Sequence, residues 1–197
     1  MSSAAQFWTW FTANQSRFRH VAGDEKEQLL DELLEQLHAY CEDLFFQIGG
    51  DGPTELVITA EGVSEAFDAV RALVEAAPRI EGWRFVAFKP AAGFGFVTQY
   101  ESARIDAGKS WFMPLESKLD PKHFGMRLAC DEYVAEHRED FLAAAQLVVE
   151  TGLGELAAAE NVSFLDVERT PPSPVDRGYL ELPALAAYLD WRKTKFK

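Results

Sequence analysis

Residues 130–140 hold the densest set of side chains with metal-binding or acid–base chemistry in this chain. Carboxylates beside a histidine can bind a hard metal ion or act as general acid and base. Acids at the start of a helix, however, commonly serve only to stabilise the helix dipole. The sequence therefore assigns no metal and no cofactor outright, and leaves Asp131, Glu132 and His137 as the candidates. The whole set is Cys130, Asp131, Glu132, Glu136, His137, Glu139 and Asp140.

Two glycine-containing stretches resemble nucleotide-binding loops but lack essential positions. Gly108-Lys109-Ser110 has the end of a phosphate-binding loop, yet Ala103 stands where that loop needs glycine. Strand-like residues 111–114 also follow where the motif needs a helix. Gly93-Phe94-Gly95 lacks the third glycine and the following helix of a dinucleotide site. No Gly-x-Ser-x-Gly elbow occurs either. Nucleotide binding and serine catalysis therefore lack support.

The two cysteines, Cys41 and Cys130, each lie on a predicted apolar face. His38 stands three residues before Cys41, a spacing that can place two metal ligands on one side of a helix. Because Cys41 continues a stripe of leucines, a buried thiol beside a flanking histidine is favoured over a metal site. Two isolated cysteines form no disulfide framework, which predicts a reduced, cytoplasmic protein.

Three aromatic residues and a nearby lysine cluster in sequence around the central loop of the chain. Such residues are typical of surfaces that bind a partner or ligand. The alternative is that these aromatic residues simply pack in the core. The candidates for partner binding are Lys89, Phe94, Tyr100 and Trp111.

The composition limits the classes of partner. The chain has 32 acidic and 19 basic residues and a net charge of −13, which argues against binding DNA or RNA. No apolar run approaches the roughly 20 residues needed to cross a bilayer, so we expect no stable membrane insertion. An acidic surface favours a basic protein partner instead, because opposite charges steer association.

The alternation of apolar and polar residues predicts two series of elements with the same order. Residues 45–89 predict two strands, a helix and a third strand, and residues 110–168 repeat that order with negligible identity. Two helices precede the first series, an aromatic one at 3–20 and an acidic one that opens at Asp24.

We therefore predict an α+β protein with a largely antiparallel sheet built from two strand-strand-helix-strand units, on which the N-terminal helices pack. A length of 197 residues suits a single domain over 1–197, with possible sub-units 1–90 and 91–197. Part of the leucine pattern in the acidic helix also has heptad spacing, so the protein is expected to be a monomer or a homodimer.

Several phrases of the sequence resemble a family of small bacterial cytoplasmic proteins of unknown function. The resemblance implies an α+β cytoplasmic protein and implies no activity. The phrases are the aromatic helix with Phe7, Trp8, Trp10 and Phe11, then Leu56–Gly62, Ala77-Pro78, Gly82–Pro90, Gly152–Glu155 and Leu180–Pro183.

Three functional hypotheses follow. The first is a non-enzymatic binding or accessory protein that acts through protein–protein contacts, by its acidic helix or its central aromatic loop. The second is a small metal-dependent or acid–base hydrolase, which requires His137 or His123 to converge with carboxylates in a cleft. The third is membrane association by the N-terminal helix, which requires exposed Trp8 and Trp10.

Overall fold

A computed structural model describes residues 3–19, 26–50, 52–116 and 124–195. The chain divides into two compact units at the boundary between Lys89 and Pro90, called unit 1 and unit 2 below. The described residues form six α-helices and nine strands, and four of the six strand pairings are antiparallel. The predicted α+β class is confirmed.

Unit 1 contains three helices and one three-stranded sheet. The sheet order is β1-β2-β3, with β1 antiparallel and β3 parallel to β2. The predicted start of the second helix, Asp24, lies outside the described residues. The elements are α1 (Ala4–Phe18), α2 (Lys26–Tyr40), β1 (Phe45–Gly49), β2 (Thr54–Thr59), α3 (Phe67–Glu75) and β3 (Trp83–Ala87).

The core of unit 1 follows the apolar periodicity of the sequence. Leu56 and Ile58 on β2 are fully buried, and so is Leu73 on α3. Leu33 and Leu37, from the leucine stripe of α2, are also 0% exposed. Because α2 contacts both α1 and β1, this leucine stripe packs inside unit 1.

The aromatic side of α1 packs inside unit 1. Trp8 is 3% exposed, and its indole N–H donates a 2.7 Å hydrogen bond to the carbonyl of Leu73 near the end of α3. The ring of Phe11 lies edge-on to those of Trp83 and Phe85, with centroids 4.9 and 5.6 Å away. Trp10 is only partly buried. For Trp8, packing is therefore favoured over the exposure that the membrane hypothesis requires.

Unit 2 contains a four-stranded sheet of order β8-β7-β6-β9 and the separate hairpin β4-β5. In the four-stranded sheet β7 is antiparallel to β6 and parallel to β8. The elements are β4 (Val97–Tyr100), β5 (Ala103–Asp106), β6 (Trp111–Glu116), β7 (Phe124–Cys130), α4 (Arg138–Leu153), α5 (Glu155–Asn161), β8 (Val162–Arg169), β9 (Leu180–Glu181) and α6 (Leu185–Lys195).

Both predicted series of strand, strand, helix and strand are present, but they do not share a sheet. In each series the first two strands pair as antiparallel neighbours, and the strand after the helix pairs in parallel with the second. The first series is β1 to β3 in unit 1 and the second is β6 to β8 in unit 2. The same pairing pattern therefore occurs twice in one chain.

One face of the four-stranded sheet carries the core of unit 2. Met126 and Leu128 on β7 pack with Phe141 and Val148 on α4. The residues between them on β7 belong to the other face, where Arg127 is ion-paired with Asp166 at 2.9 Å. The sequence also predicts a turn at Lys118–Lys122, before β7, and these residues lie outside the described ones.

No single helix in the described part of the chain is long and apolar enough to cross a membrane. The stretch 135–153 passes such a test only together with α5, from which it is separated by a bend of 114°.

Candidate functional site

A polar cleft in unit 2 has a volume of about 170 Å³. One wall comes from the end of β5 and the turn that follows it, which contribute Arg104, Asp106, Lys109 and Ser110. Ser110 is 3% exposed, and its hydroxyl donates a 2.8 Å hydrogen bond to the backbone carbonyl of Asp106. This bond closes the turn and fixes the buried side of the wall.

The opposite wall is formed where β7 ends. Cys130 is the last residue of β7, and Asp131 and Glu132 follow it in the next turn. In the antiparallel pairing of β6 with β7, Trp111 faces Ala129. Ser110 and Cys130 are therefore adjacent across the two strands, and both are 3% exposed. The cleft thus has a buried hydroxyl and a buried thiol below a charged rim.

Two ion pairs lie along this rim. Arg104 is paired with Glu132, which joins the two walls. Lys109 is 3.0 Å from the carboxylate of Asp106, and its ammonium group holds the pKa of Asp106 below the usual range. Asp131 has no hydrogen-bond or ion-pair partner within the described ranges. The lining therefore carries charges of both signs, with one carboxylate in excess.

The thiol of Cys130 is unsuited to nucleophilic chemistry. Burial, together with the negative charges of Asp131 and Glu132, raises its pKa to about 12. The reactive form of a cysteine is the thiolate, which is scarce at neutral pH when the pKa is this high. Cys130 therefore serves as an apolar part of the cleft floor.

His137 does not line the cleft with Asp131 and Glu132. It is half exposed, and its Nδ1 lies 3.9 Å from the carboxylate of Asp140. The hydroxyl of Ser102 donates a hydrogen bond to the same carboxylate. A Ser-His-Asp site needs the histidine between the hydroxyl and the acid, whereas here the acid lies between them. This arrangement does not activate Ser102.

The remaining metal candidates are equally dispersed. Among the residues that the structure describes, no group of three or more histidines, cysteines and acids is placed to hold a metal ion. His38 packs edge-on to the ring of Phe45 at a centroid distance of 5.6 Å, and Cys41 beside it is partly buried. His123 lies outside the described residues.

The four residues predicted to bind a partner have different environments. Lys89, in unit 1, is 2.6 Å from the carboxylate of Glu61 and is 18% exposed. Phe94 is 6% exposed and belongs to the core of unit 2, so for this residue core packing is favoured over a surface role. Tyr100 is 41% exposed, and Trp111 is partly buried.

The second candidate site is a row of carboxylates on α2. Glu27, Asp31 and Glu35 follow one another at i, i+4 spacing, and all three are exposed. We call these three residues the acidic face of α2. They have no ion pair with any described residue, whereas Glu32 on the neighbouring side accepts two hydrogen bonds from Arg17, at 3.0 and 2.7 Å.

Only Glu27 of the acidic face lies in the first turn of α2, where the helix dipole favours negative charge; Asp31 and Glu35 gain no such stabilisation. Like charges at i, i+4 cost about 0.2–0.5 kcal/mol for each pair. Glu42 and Asp43, both exposed, follow shortly after the end of α2 at Tyr40, where the helix dipole disfavours negative charge. Apart from Glu27, these carboxylates therefore gain nothing from the helix dipole.

Comparisons with known proteins identify no relative: no family model, no curated protein and no solved structure matches the chain. The resemblance to small bacterial proteins of unknown function stays a prediction. The functional argument therefore depends on the chain's own geometry.

Sequence reasoning found one wall of the cleft and missed the other. Asp131 and Glu132 were recognisable because they are adjacent acids after a strand. Arg104 and Asp106 were not, because they come from a hairpin that approaches β7 only in the folded unit. The only signal near that wall was Gly108-Lys109-Ser110, which was set aside as an incomplete phosphate-binding loop.

Proposed function

We propose that this protein is a non-enzymatic binding protein that recognises a basic protein partner through the acidic face of α2. The observation that carries the proposal is the row of Glu27, Asp31 and Glu35, which lies exposed and without counter-charges among the described residues. A cationic surface that covers this row would supply the counter-charges that it lacks. The cytoplasmic location of the protein belongs to the same proposal.

The net charge of −13 supports this proposal. A strongly acidic protein attracts a basic partner over a Debye length of about 8 Å at physiological salt, which accelerates association. The opposite side of α2 is fixed by the fully buried Leu33 and Leu37. The carboxylates therefore lie on a rigid element, and little backbone conformational entropy is lost when a partner binds.

A hydrolase that uses residues 130–140 receives less support. The pKa of Cys130 is near 12, and Asp140 separates Ser102 from His137. Neither arrangement supplies an activated nucleophile. Binding is therefore the better proposal.

The test is affinity capture from the native cell extract at low salt, followed by measurement of the dissociation constant with the purified partner. The variant neutralises the acidic face of α2 by Glu27→Gln, Asp31→Asn and Glu35→Gln. Exposed ion pairs contribute about 0.5 kcal/mol each, so we expect roughly tenfold weaker binding from three lost pairs. We also expect moderate salt to release the wild-type complex.

A matched control neutralises the same number of exposed acids in unit 2. Its substitutions are Glu136→Gln, Asp176→Asn and Glu181→Gln, and each of these residues lacks an ion pair among the described residues. We expect this control to bind like the wild type. Equal weakening of both variants would mean that only total charge matters, and full binding by the α2 variant would place recognition elsewhere; either result refutes the proposal.

A further inference from the structure

The polar cleft of unit 2 has the chemistry of a small-ligand site that is independent of the acidic face of α2. Its volume of about 170 Å³ is well above the roughly 10–15 Å³ that a cavity needs to hold one water. The lining contains no aromatic side chain, and five of its seven residues are charged. A ligand that fits such a cleft has to be small and polar.

The cleft can bind an anionic group without losing its own ion pairs. The guanidinium of Arg104 has five N–H donors and the ammonium of Lys109 has three. Arg104 contacts Glu132, and Lys109 contacts Asp106. Donors remain on both cations, and they lie on the wall formed by β5 and its turn.

The cleft can bind a cationic group on its other wall. Asp131 has no partner among the described residues, and Glu132 adjoins it with half of its side chain exposed. Two neighbouring carboxylates offer several acceptor positions to an ammonium group. The two exposed ion pairs are worth only about 0–1 kcal/mol each, so either can adjust when a ligand enters.

We propose that this cleft binds a small zwitterion of the free α-amino acid class. The ligand's ammonium group lies against Asp131 and Glu132, and its carboxylate lies against Arg104 and Lys109. A purely cationic ligand leaves the two basic residues unused, and a purely anionic ligand leaves Asp131 without a partner. Only a ligand with both charges complements both walls. The floor formed by Ser110 and Cys130 restricts the ligand's side chain to a small group.

The test compares three probes by calorimetry on the full chain. L-serine carries both charges, L-serine methyl ester carries only the ammonium, and N-acetyl-L-serine carries only the carboxylate. We expect L-serine to bind at least about tenfold more tightly than either derivative, a difference of about 1.4 kcal/mol. If the ester or the acetylated form binds as well as L-serine, the site is cationic or anionic only and the proposal fails.

Variants locate the binding site. Asp131→Asn and Lys109→Met each remove one charge from opposite walls and should weaken L-serine binding at least about tenfold. Glu136→Gln, an exposed acid outside the cleft, should leave it unchanged. Heat from L-serine that persists in both cleft variants would assign the binding to another place. No heat at about 10 mM ligand, which saturates a site with a Kd near 1 mM, would also overturn the proposal.

Discussion

Adding one methyl group at Gly152 tests how the segment before β4 is anchored to unit 2. The N–H groups of Ala92 and Gly93 donate hydrogen bonds of 2.9 and 3.2 Å to the carbonyls of Thr151 and Gly152 at the end of α4. Phe94 follows, and its ring is buried directly against Gly152. A Cβ atom at position 152 would lie only 2.1 Å from Cε1 of Phe94 and 2.4 Å from Cζ.

Two opposing effects determine the result of Gly152→Ala. Alanine favours a helix over glycine by about 1 kcal/mol. Against this, an ordinary contact needs about 3.4 Å, so the ring has to retreat by more than 1 Å from a site where it is 6% exposed. Overpacking costs about 1–3 kcal/mol, and complete loss of a buried Phe costs about 3–5 kcal/mol. We expect a net destabilisation of about 2 kcal/mol.

A double-mutant cycle measured by urea denaturation isolates the contact. In the Phe94→Ala background the ring is absent, so Gly152→Ala should be neutral or stabilise unit 2 by up to about 1 kcal/mol. Because Phe94 lies in the core of unit 2, the urea transition that Phe94→Ala shifts is the one in which unit 2 unfolds. If Gly152→Ala stabilised the protein even with Phe94 present, the packing of this segment against α4 would be refuted.

Three further predictions concern contacts elsewhere in the two units. Trp8→Phe should lower the free energy of unfolding by about 1–3 kcal/mol in denaturant melts, because the carbonyl of Leu73 loses its 2.7 Å hydrogen-bond donor. The control Trp10→Phe, at a partly buried position, should cost less than about 0.5 kcal/mol. Equal losses would contradict the packing of Trp8 against α3. Burial alone would raise the pKa of Asp166, but hydrogen bonds from Arg127, the backbone N–H of Val167 and Arg138 outweigh it and lower the pKa. The ionised carboxylate therefore stabilises the fold at pH values above its unfolded pKa of about 4, and this stabilisation is lost as the pH falls through the lower folded pKa. Asp166→Asn should cost about 2 kcal/mol of unfolding free energy at pH 7, and the cost should shrink when the melts are repeated in acid. A cost that did not change with pH would contradict this account. A Cys41→Ser variant leaves Cys130 as the one thiol of the chain. Because the pKa of Cys130 is about 12, this thiol should react with a disulfide reagent at pH 8 at least about a hundredfold more slowly than free cysteine. A rate comparable to that of free cysteine would show that the thiol is not buried as described.

Local periodicity predicted the strands and helices of the two series, but not the hairpin β4-β5, helix α5 or strand β9, and tertiary contacts determined the pairing. The short β-rich runs and the apolar helical stripe at 45–89 correspond to β1, β2, α3 and β3. Pairing is different: whether two strands run parallel, and whether two series share one sheet, depends on contacts between segments distant in sequence. Nothing in the composition of β3 and β8 indicates that each pairs in parallel within its own sheet.

Aromatic residues illustrate the same limit at single positions. Trp8 and Trp10 are two residues apart on α1, and they differ because helical geometry turns only Trp8 towards α3. Phe94 was a candidate for partner binding because it is an aromatic residue near a polar group in the central loop. It is buried because the loop bonds to the end of α4 and Gly152 leaves space for the ring. That space is created by a residue 58 positions away in the sequence.

Both candidate sites use a segment outside the series that the two units share, and the cleft also uses the end of β7. The acidic face belongs to α2, which precedes the first series, and one wall of the cleft belongs to β5 and its turn, which precede the second. The shared strands and helices supply most of the buried residues of each unit, whereas the added segments supply the acidic face of α2 and the two basic residues of the cleft. A scaffold can be repeated while its binding chemistry changes, because function resides in sites placed on a fold and not in the fold itself. The separate ligand chemistries that we propose for the two units follow from that difference: carboxylates alone on α2 require a cationic surface, and mixed charges around a cavity require a small ligand that carries both signs.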